Sequence, residues 1–417
     1  MKHRILLPYL RQKIASKFGR LIALTGARQT GKTTLIRAGF PDYPYISLED
    51  PVTRPDFAAL SAAQWHHQYP VAILDEVQKL PSLIESIKAT GDLYPDTSYI
   101  LLGSSQILLL EKIRESLAGR VSLVELYPLT FPEMLTISWE DSAQESKMVR
   151  WLKSGTPADF FSGIPRSEKG YAQVSRLLEE YLQFGAMPAL ADPALHAEEK
   201  YGWLRDYIQT YLQRDVRDLA NLRELEPFVR AQKTLAGLTG QLLNTAELAR
   251  AAGIAHATAR RFVNYLELSY QVVLLSPWFR NPGKRLAKTP KVHFLDPGVQ
   301  RALLARRGAV TGNEFESAII AEIYKQLKTS RLPVEFYHLH TADGRQVDLL
   351  LELEEGFVPI EIKMSERVSP ADARHLRELS VILDKPVLHA LVLSNDGRLL
   401  SLGEKITAAP VAWFLGG

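Results

Sequence analysis

The chain has 417 residues, more than one ordinary hydrophobic core supports, so roughly two to four domains are expected. Its 46% hydrophobic and 23% charged residues exclude a largely disordered chain, and the lack of cysteine excludes disulfides, zinc fingers and thiol catalysis. The net charge of +3 conceals a surplus of ten positive charges in residues 200–309, where 18 Lys/Arg stand against 8 Asp/Glu.

Such asymmetry fits a module that meets a polyanion, and equally a solvated basic surface. No apolar run approaches the ~20 residues that span a bilayer, and no signal-type stretch opens the chain. A soluble, cytoplasmic protein without a membrane partner is the expectation.

In chain order, short unalternated apolar runs at Leu21–Leu24, Tyr45–Leu48, Val71–Leu74, Tyr99–Leu102 and Val121–Leu126 read as strands buried on both faces. Helical patterns fall between them at Thr33–Ala38, Pro55–His67, Leu80–Thr90 and Leu108–Leu117. The alternation predicts an α/β domain with a parallel sheet. From Phe131 to about Gly170 prolines and serines break the pattern into a connector. Residues 173–225 are helical by the spacing of Tyr201, Leu204, Ile208, Tyr211, Leu212, Val216 and Leu219, and a further helix is predicted over Glu226–Leu243.

Asn244 is placed to cap a helix through Arg250 that ends at Gly253, with a second helix over Ala257–Leu268. Strands at Gln271–Ser276 and Lys291–Leu295 follow, and two helices plus a hairpin describe a winged helix. A helix at Glu314–Leu327 and strands at Val334–His338, Val347–Leu353, Val358–Lys363 and Val387–Leu393, with a helix before the last, make a separate α/β unit.

Gly26-Ala-Arg-Gln-Thr-Gly31-Lys32-Thr33 fits the phosphate-binding pattern G-x-x-x-x-G-K-[ST] between a predicted strand and a predicted helix. Glycines let successive backbone N–H groups curl around a phosphate, and the helix N-terminus adds its positive dipole. The nucleotide-binding residues are then Gly26, Ala27, Arg28, Gln29, Thr30, Gly31, Lys32, Thr33 and Thr34. Lys32 would bridge phosphates, and the Thr33 hydroxyl would ligate Mg²⁺.

Val71-Ala-Ile-Leu-Asp75-Glu76 supplies the acidic partner at a strand end. Asp75 would hold Mg²⁺ through water and Glu76 would activate the attacking water. Ser104 and Ser105 end the fourth strand, which in this topology lies between the loop strand and the Asp75 strand. Their hydroxyls would contact the γ-phosphate or simply cap a helix. Arg114 and Arg120 flank the end of the following helix, and an Arg there, Arg120 among them, would reach a neighbouring subunit's nucleotide or equally be a surface Arg near a helix C-terminus.

The strings GARQTGKTT, ILDEVQKLP, LLGSSQILLL, SLAGRVSLVELYPLTFPEM and YLQFGAMPAL together resemble the AAA+ P-loop ATPases of bacteria and archaea, in the branch with a C-terminal restriction-endonuclease-like domain of unknown function. The resemblance covers nearly the whole chain. It implies an α/β fold with an AAA+ core (residues 1–150), a helical lid and connector (151–225), a winged-helix domain (226–310) and a restriction-endonuclease-like α/β domain (311–417). It also implies that the Phe184–Pro188 turn, through Gly185 and Pro188, closes over the base side of the nucleotide. Ala186 stands where relatives carry a second glycine.

Arg280, Lys284, Arg285, Lys288 and Lys291 crowd the hairpin loop without an acid, and Arg260 and Arg261 lie on the second helix of the pair. Arg260, Arg261, Arg280, Lys284, Arg285 and Lys288 are the candidate DNA contacts. In the last unit Asp348 and the sequence Glu361-Ile-Lys363, with Glu316 on the preceding helix, resemble a restriction-endonuclease site. Residues two apart in a strand share a face, so Glu361 and Lys363 point together, as do His338 and His340.

The expected activity is Mg²⁺-dependent ATP hydrolysis coupled to conformational change, with DNA bound through the winged helix and the C-terminal domain. A homo-oligomer is a further expectation. The alternatives are a DNA nuclease gated by ATP, with a second Mg²⁺ or Mn²⁺ at the C-terminal carboxylates, and a nucleotide-switched scaffold with little turnover.

Overall fold

The computed structural model describes residues 1–17, 19–103, 120–154, 160–212, 225–281, 283, 288–341 and 344–416. A helix, α1 (Leu6–Ile14), precedes the first sheet, whose strands are β1 (Leu21–Thr25), β2 (Tyr45–Ser47), β3 (Val71–Asp75), β4 (Ser98–Leu102) and β5 (Ser122–Glu125). They pair in parallel in the order β2-β3-β4-β1-β5, so β4 does lie between the loop strand and the Asp75 strand. Their apolar side chains are buried on both faces, which is why they lack alternation.

Between them run α2 (Lys32–Gly39), α3 (Arg54–Ala59), α4 (Ala62–Gln68) and α5 (Leu83–Leu93). The single helix expected over Pro55–His67 is two. Leu60 is extended, and Ser61 starts α4 with a capping box to Gln64. The helix expected at Leu108–Leu117 lies outside the described residues.

The connector carries α6 (Phe131–Leu135) and α7 (Lys147–Ser154), followed by α8 (Tyr171–Phe184) and α9 (Ala197–Tyr207). Their packing divides them. Met148, Val149 and Trp151 of α7 and Leu178, Tyr181 and Leu182 of α8 share one core with Phe315, Ile319 and Ile323 and with the C-terminal Trp413–Leu415. Leu204 and Tyr207 of α9 join another core with α10 (Glu226–Gly237), α11 (Thr245–Ala252) and α12 (His256–Leu268). The two arms of the predicted lid are thus held by different cores.

Asn244 accepts from Ala246 N and Glu247 N to cap α11, and Gly253 ends it in the left-handed region at φ 67°. Helix α10 stops at Gly237, short of the predicted Leu243, and Leu242 makes a bridge to Lys291 instead.

The hairpin β6 (Val272–Pro277) and β7 (Lys291–Phe294) is followed by α13 (Pro297–Leu303) and α14 (Gly312–Thr329). Next come β8 (Glu335–His340), β9 (Gln346–Glu352), β10 (Phe357–Lys363), β11 (Ala390–Ser394), β12 (Leu400–Gly403), β13 (Ile406–Pro410) and α15 (Val411–Gly416). One sheet contains all eight strands in the order β12-β13-β11-β10-β9-β8-β6-β7.

The unit beginning at Gly312 is therefore joined, rather than separate. β6 runs parallel to β8 at Ser276–Tyr337 and Pro277–His338, and Trp278 N donates to His338 O at 2.8 Å. The expected pairing of His338 and His340 on one face fails at a register shift between Tyr337 and Leu339, which buries His338 and leaves His340 exposed.

Candidate functional site

Strand β1 delivers the glycine-containing loop to the C-terminal edge of the sheet. Gly26 has φ 149°, and a Cβ there would stand 2.2 Å from Leu126 O, so the residue after β5 leaves room for glycine alone. Gly31, at φ 86°, starts α2. Within the loop Thr30 Oγ1 donates to Ala27 O at 2.8 Å, and Lys32 Nζ donates to Gly26 O and Ala27 O at 2.9 Å each.

The end of β3 lies beside it. Asp75 Oδ2 accepts from Thr33 Oγ1 at 2.7 Å and from Tyr45 OH at 2.8 Å, while Glu76 N donates to Asp75 Oδ1 at 2.9 Å. Burial and the Asp75 carboxylate push the Tyr45 phenol up to about 12. Glu76 is half-buried in the left-handed region at φ 56°, and Gln78 Nε2 donates to its carboxylate. Burial first, and Asp75 next, raise its pKa above the usual carboxylate value, while Arg28 and Lys32 draw it back.

Ser104, Ser105 and Arg114 lie outside the described residues. Arg120 stands ahead of β5, at the sheet edge opposite the loop, where its Nε donates to Asp92 Oδ1 at 2.7 Å. The structure does not bring it to the loop of its own chain.

A cleft of about 750 Å³ opens between Gln29, Thr30, Gly31 and Thr34 on one side and Phe184, Gly185 and Pro188 on the other. Gly185 adopts φ 74° and ψ −157°, and a Cβ there would lie 1.9 Å from Asp296 Oδ1. The buried Asp296 carboxylate accepts from Ala186 N at 2.8 Å and caps α13 by accepting from Val299 N at 3.0 Å. The turn that faces the loop is thus fastened to the element after the hairpin.

Several residues that build this region carried no motif. Arg4 is buried; its guanidinium donates to Thr30 O at 2.9 Å and Tyr127 O at 2.6 Å and pairs with buried Glu133 at 3.2 Å. Tyr207 OH donates to Arg28 O at 3.1 Å. Tyr45, Arg4, Tyr207 and Asp296 escape sequence reading because each reaches the site across tens to hundreds of residues; only the Asp296-Pro297 pair, a helix-start signature, offered a local hint.

On α12 both Arg260 and Arg261 are exposed, with Phe262 and Val263 turned into the core. Arg280 is exposed and donates to Ile382 O at 3.3 Å, and Lys288 is exposed. Lys284 and Arg285 lie outside the described residues.

The C-terminal carboxylates do converge. Glu316, Asp348, Glu361 and Lys363 come together from α14, β9 and β10, and Lys291 of β7 joins them. Burial and Asp348 push Glu316 up to about 7 and Glu361 up to about 8. A cavity of about 300 Å³ beside them is lined by Asp348, Glu361, Lys363, Arg374 and His375 among others.

Comparison with known proteins divides the chain in three. Residues 19–135 match the family described as an AAA domain, and residues 175–309 and 311–414 match two domains of unknown function, DUF8612 and DUF4143. An uncharacterized protein of Mycobacterium tuberculosis is 28% identical over 94% of this chain and 80% of its own length. One of Methanocaldococcus jannaschii is 25% identical over 73% and 66%.

Among solved structures, a Walker-type ATPase of Pyrococcus abyssi is similar over 72% of this chain and 94% of its own, at 15% identity and a TM-score of 0.45. The AAA match, with the parallel sheet and its loop, makes the N-terminal part ATPase-like. No helix among the described residues is long and apolar enough to cross a membrane.

Proposed function

We propose that the N-terminal sheet binds ATP with Mg²⁺ and hydrolyses it. The observation that carries this reading is the 2.7 Å hydrogen bond between Thr33 of the loop and Asp75 of β3, with Glu76 held alongside. The hydroxyl and carboxylate oxygens suit a hard cation: Thr33 would bind Mg²⁺ directly and Asp75 through water, and bound Mg²⁺ would supply charge neutralisation for the phosphates. Lys32, now resting on the carbonyls of Gly26 and Ala27, would turn to the phosphates. Glu76 would take the proton of the attacking water. Its pKa, raised by burial and by Asp75, is shifted in the direction that strengthens a base.

Glu76→Gln tests the assignment. Steady-state turnover should fall on the order of 10²–10⁴-fold while ATP binding is retained. The wild-type rate should climb through an acid limb set above the ordinary glutamate range and absent from the variant. Undiminished turnover would remove Glu76 as the base.

Closure of the Gly185–Pro188 turn over bound nucleotide would move the hairpin module, because Asp296 ties that turn to α13. The exposed Arg260 and Arg261, one Gly253 turn beyond α11 and ahead of the hairpin, support DNA as the polyanion that this module meets, in the manner of a winged helix. For ATP-gated DNA cleavage the support is thinner, because lysines already sit on the C-terminal carboxylates.

A further inference from the structure

Three carboxylates and two ammonium groups meet where the hairpin strand β7 faces α14, β9 and β10. Lys291 Nζ, from the first residue of β7, donates to Glu316 Oε1 at 2.9 Å and stands 3.9 Å from Asp348 Oδ1. The other oxygen of Asp348 accepts from Ile362 N at 2.9 Å. Lys363 Nζ donates to Glu361 Oε2 at 2.9 Å, which leaves Glu361 Oε1 as a buried oxygen without a hydrogen bond.

A magnesium-like ion needs near-octahedral oxygen ligation at about 2.1 Å, with both charge and space at the centre. Here the space between Glu316 and Asp348 already holds a cation, and it is covalently part of the chain. Among the described residues no three His, Asp or Glu side chains are placed to hold a metal ion together. Even with all three acids ionised, two ammonium groups leave one negative charge in place of three, so the attraction for a divalent ion is largely cancelled.

We propose that Lys291 is the resident cation of this site: its ammonium stands between Glu316 and Asp348, supplying positive charge there in place of a divalent ion, and the cluster clamps the hairpin onto α14 and β9. The residues that resemble a nuclease centre then do not fit its metal, and they serve as a metal-free ion-pair junction. Two features of the chain agree with this. Leu242 bridges to Lys291 on the other side, and β7 contacts α14, so the lysine lies at a seam between modules. Its side chain and that of Glu316 are only 17% and 16% exposed, which holds the pair together against solvent screening.

The inference does not depend on ATP, and its test uses the nucleotide-free full chain with Mn²⁺ followed by electron paramagnetic resonance. Wild type and Asp348→Asn should bind the same amount of Mn²⁺, so that any binding at Asp75 cancels between them. Lys291→Gln should gain a single Mn²⁺ per chain, and Asp348→Asn in that background should abolish the gain. Mn²⁺ binding in the wild type that is lost in Asp348→Asn would overturn the proposal, as would a folded Lys291→Gln chain with no gain. Were Lys291→Gln not to fold, the comparison of wild type with Asp348→Asn would still decide.

Discussion

Thr33 and Tyr45 both donate to the same oxygen of Asp75, while Glu76 N takes the other. A carboxylate held by three donors keeps one rotamer, which suits the water-positioning role proposed for Asp75. Arg4 does comparable work for the loop, with one guanidinium hydrogen-bonded to Thr30 O and Tyr127 O and ion-paired with Glu133. Arg4→Met should therefore destabilise the fold by about 3–5 kcal/mol, since it leaves the buried Glu133 carboxylate without its cation, held only by Ile5 N and Thr130 N among the described residues. It should also weaken ATP binding through the released loop. Denaturant unfolding measures the first and nucleotide titration the second. Adding Glu133→Gln should recover part of the stability, and a single-variant cost below about 1 kcal/mol would show the pair to be dispensable.

At the scale of elements, the turn after α8 carries the mechanical argument. Gly185 sits where only glycine is comfortable, Gly298 lets α13 approach so closely that a Cβ would lie 2.0 Å from Phe184 O, and Leu129 N donates to Ala186 O at 2.9 Å. Gly185→Ala should cost about 1–3 kcal/mol from backbone strain alone, and more if the clash with Asp296 is not relieved. It should raise KM for ATP more than it lowers kcat, because the turn lines the cleft and lies away from Glu76. Thermal unfolding and steady-state kinetics together check this, and an unchanged KM would detach the turn from nucleotide binding.

Across the whole molecule, the basic surplus of residues 200–309 is smaller on the surface than in the sequence. Lys200, Lys291, Arg301, Arg306 and Arg307 pair with Glu180, Glu316, Glu314 and Glu198, acids that all lie outside that segment. Part of the apparent polyanion surplus is thus already paired with acids from the neighbouring segments. What remains exposed includes Arg260, Arg261, Arg280 and Lys288. If α12 meets DNA, Arg260→Ala with Arg261→Ala should flatten the slope of log K against log salt by about 1–2, measured by duplex titration over a salt series. An unchanged slope would remove α12 from the interface.

Much of the candidate nucleotide site was legible beforehand, for a local reason. The loop, its strand and its helix are contiguous, and the Asp75–Glu76 pair ends an apolar run whose burial on both faces is written in its composition. The β4 position between β1 and β3 was expected from the type of sheet that the resemblance implies, since a parallel arrangement alone does not set strand order. Helix α11 was readable through Asn244 and Gly253, because caps act within four residues.

Other features rest on pairs far apart in the chain. Arg4 meets Glu133, Lys291 meets Glu316, and Asp296 meets Ala186 only after the cores have packed. The fusion of β6 to β8 uses backbone hydrogen bonds at a sheet edge, which any strand can offer and no side-chain pattern announces. The sequence by itself thus determined a glycine-containing loop with its acidic neighbour, the candidate nucleotide site, and the local excess of positive charge. Tertiary structure decided where that charge is exposed and where a lysine already neutralises the acids, because long-range electrostatic pairing depends on which surfaces the cores bring together.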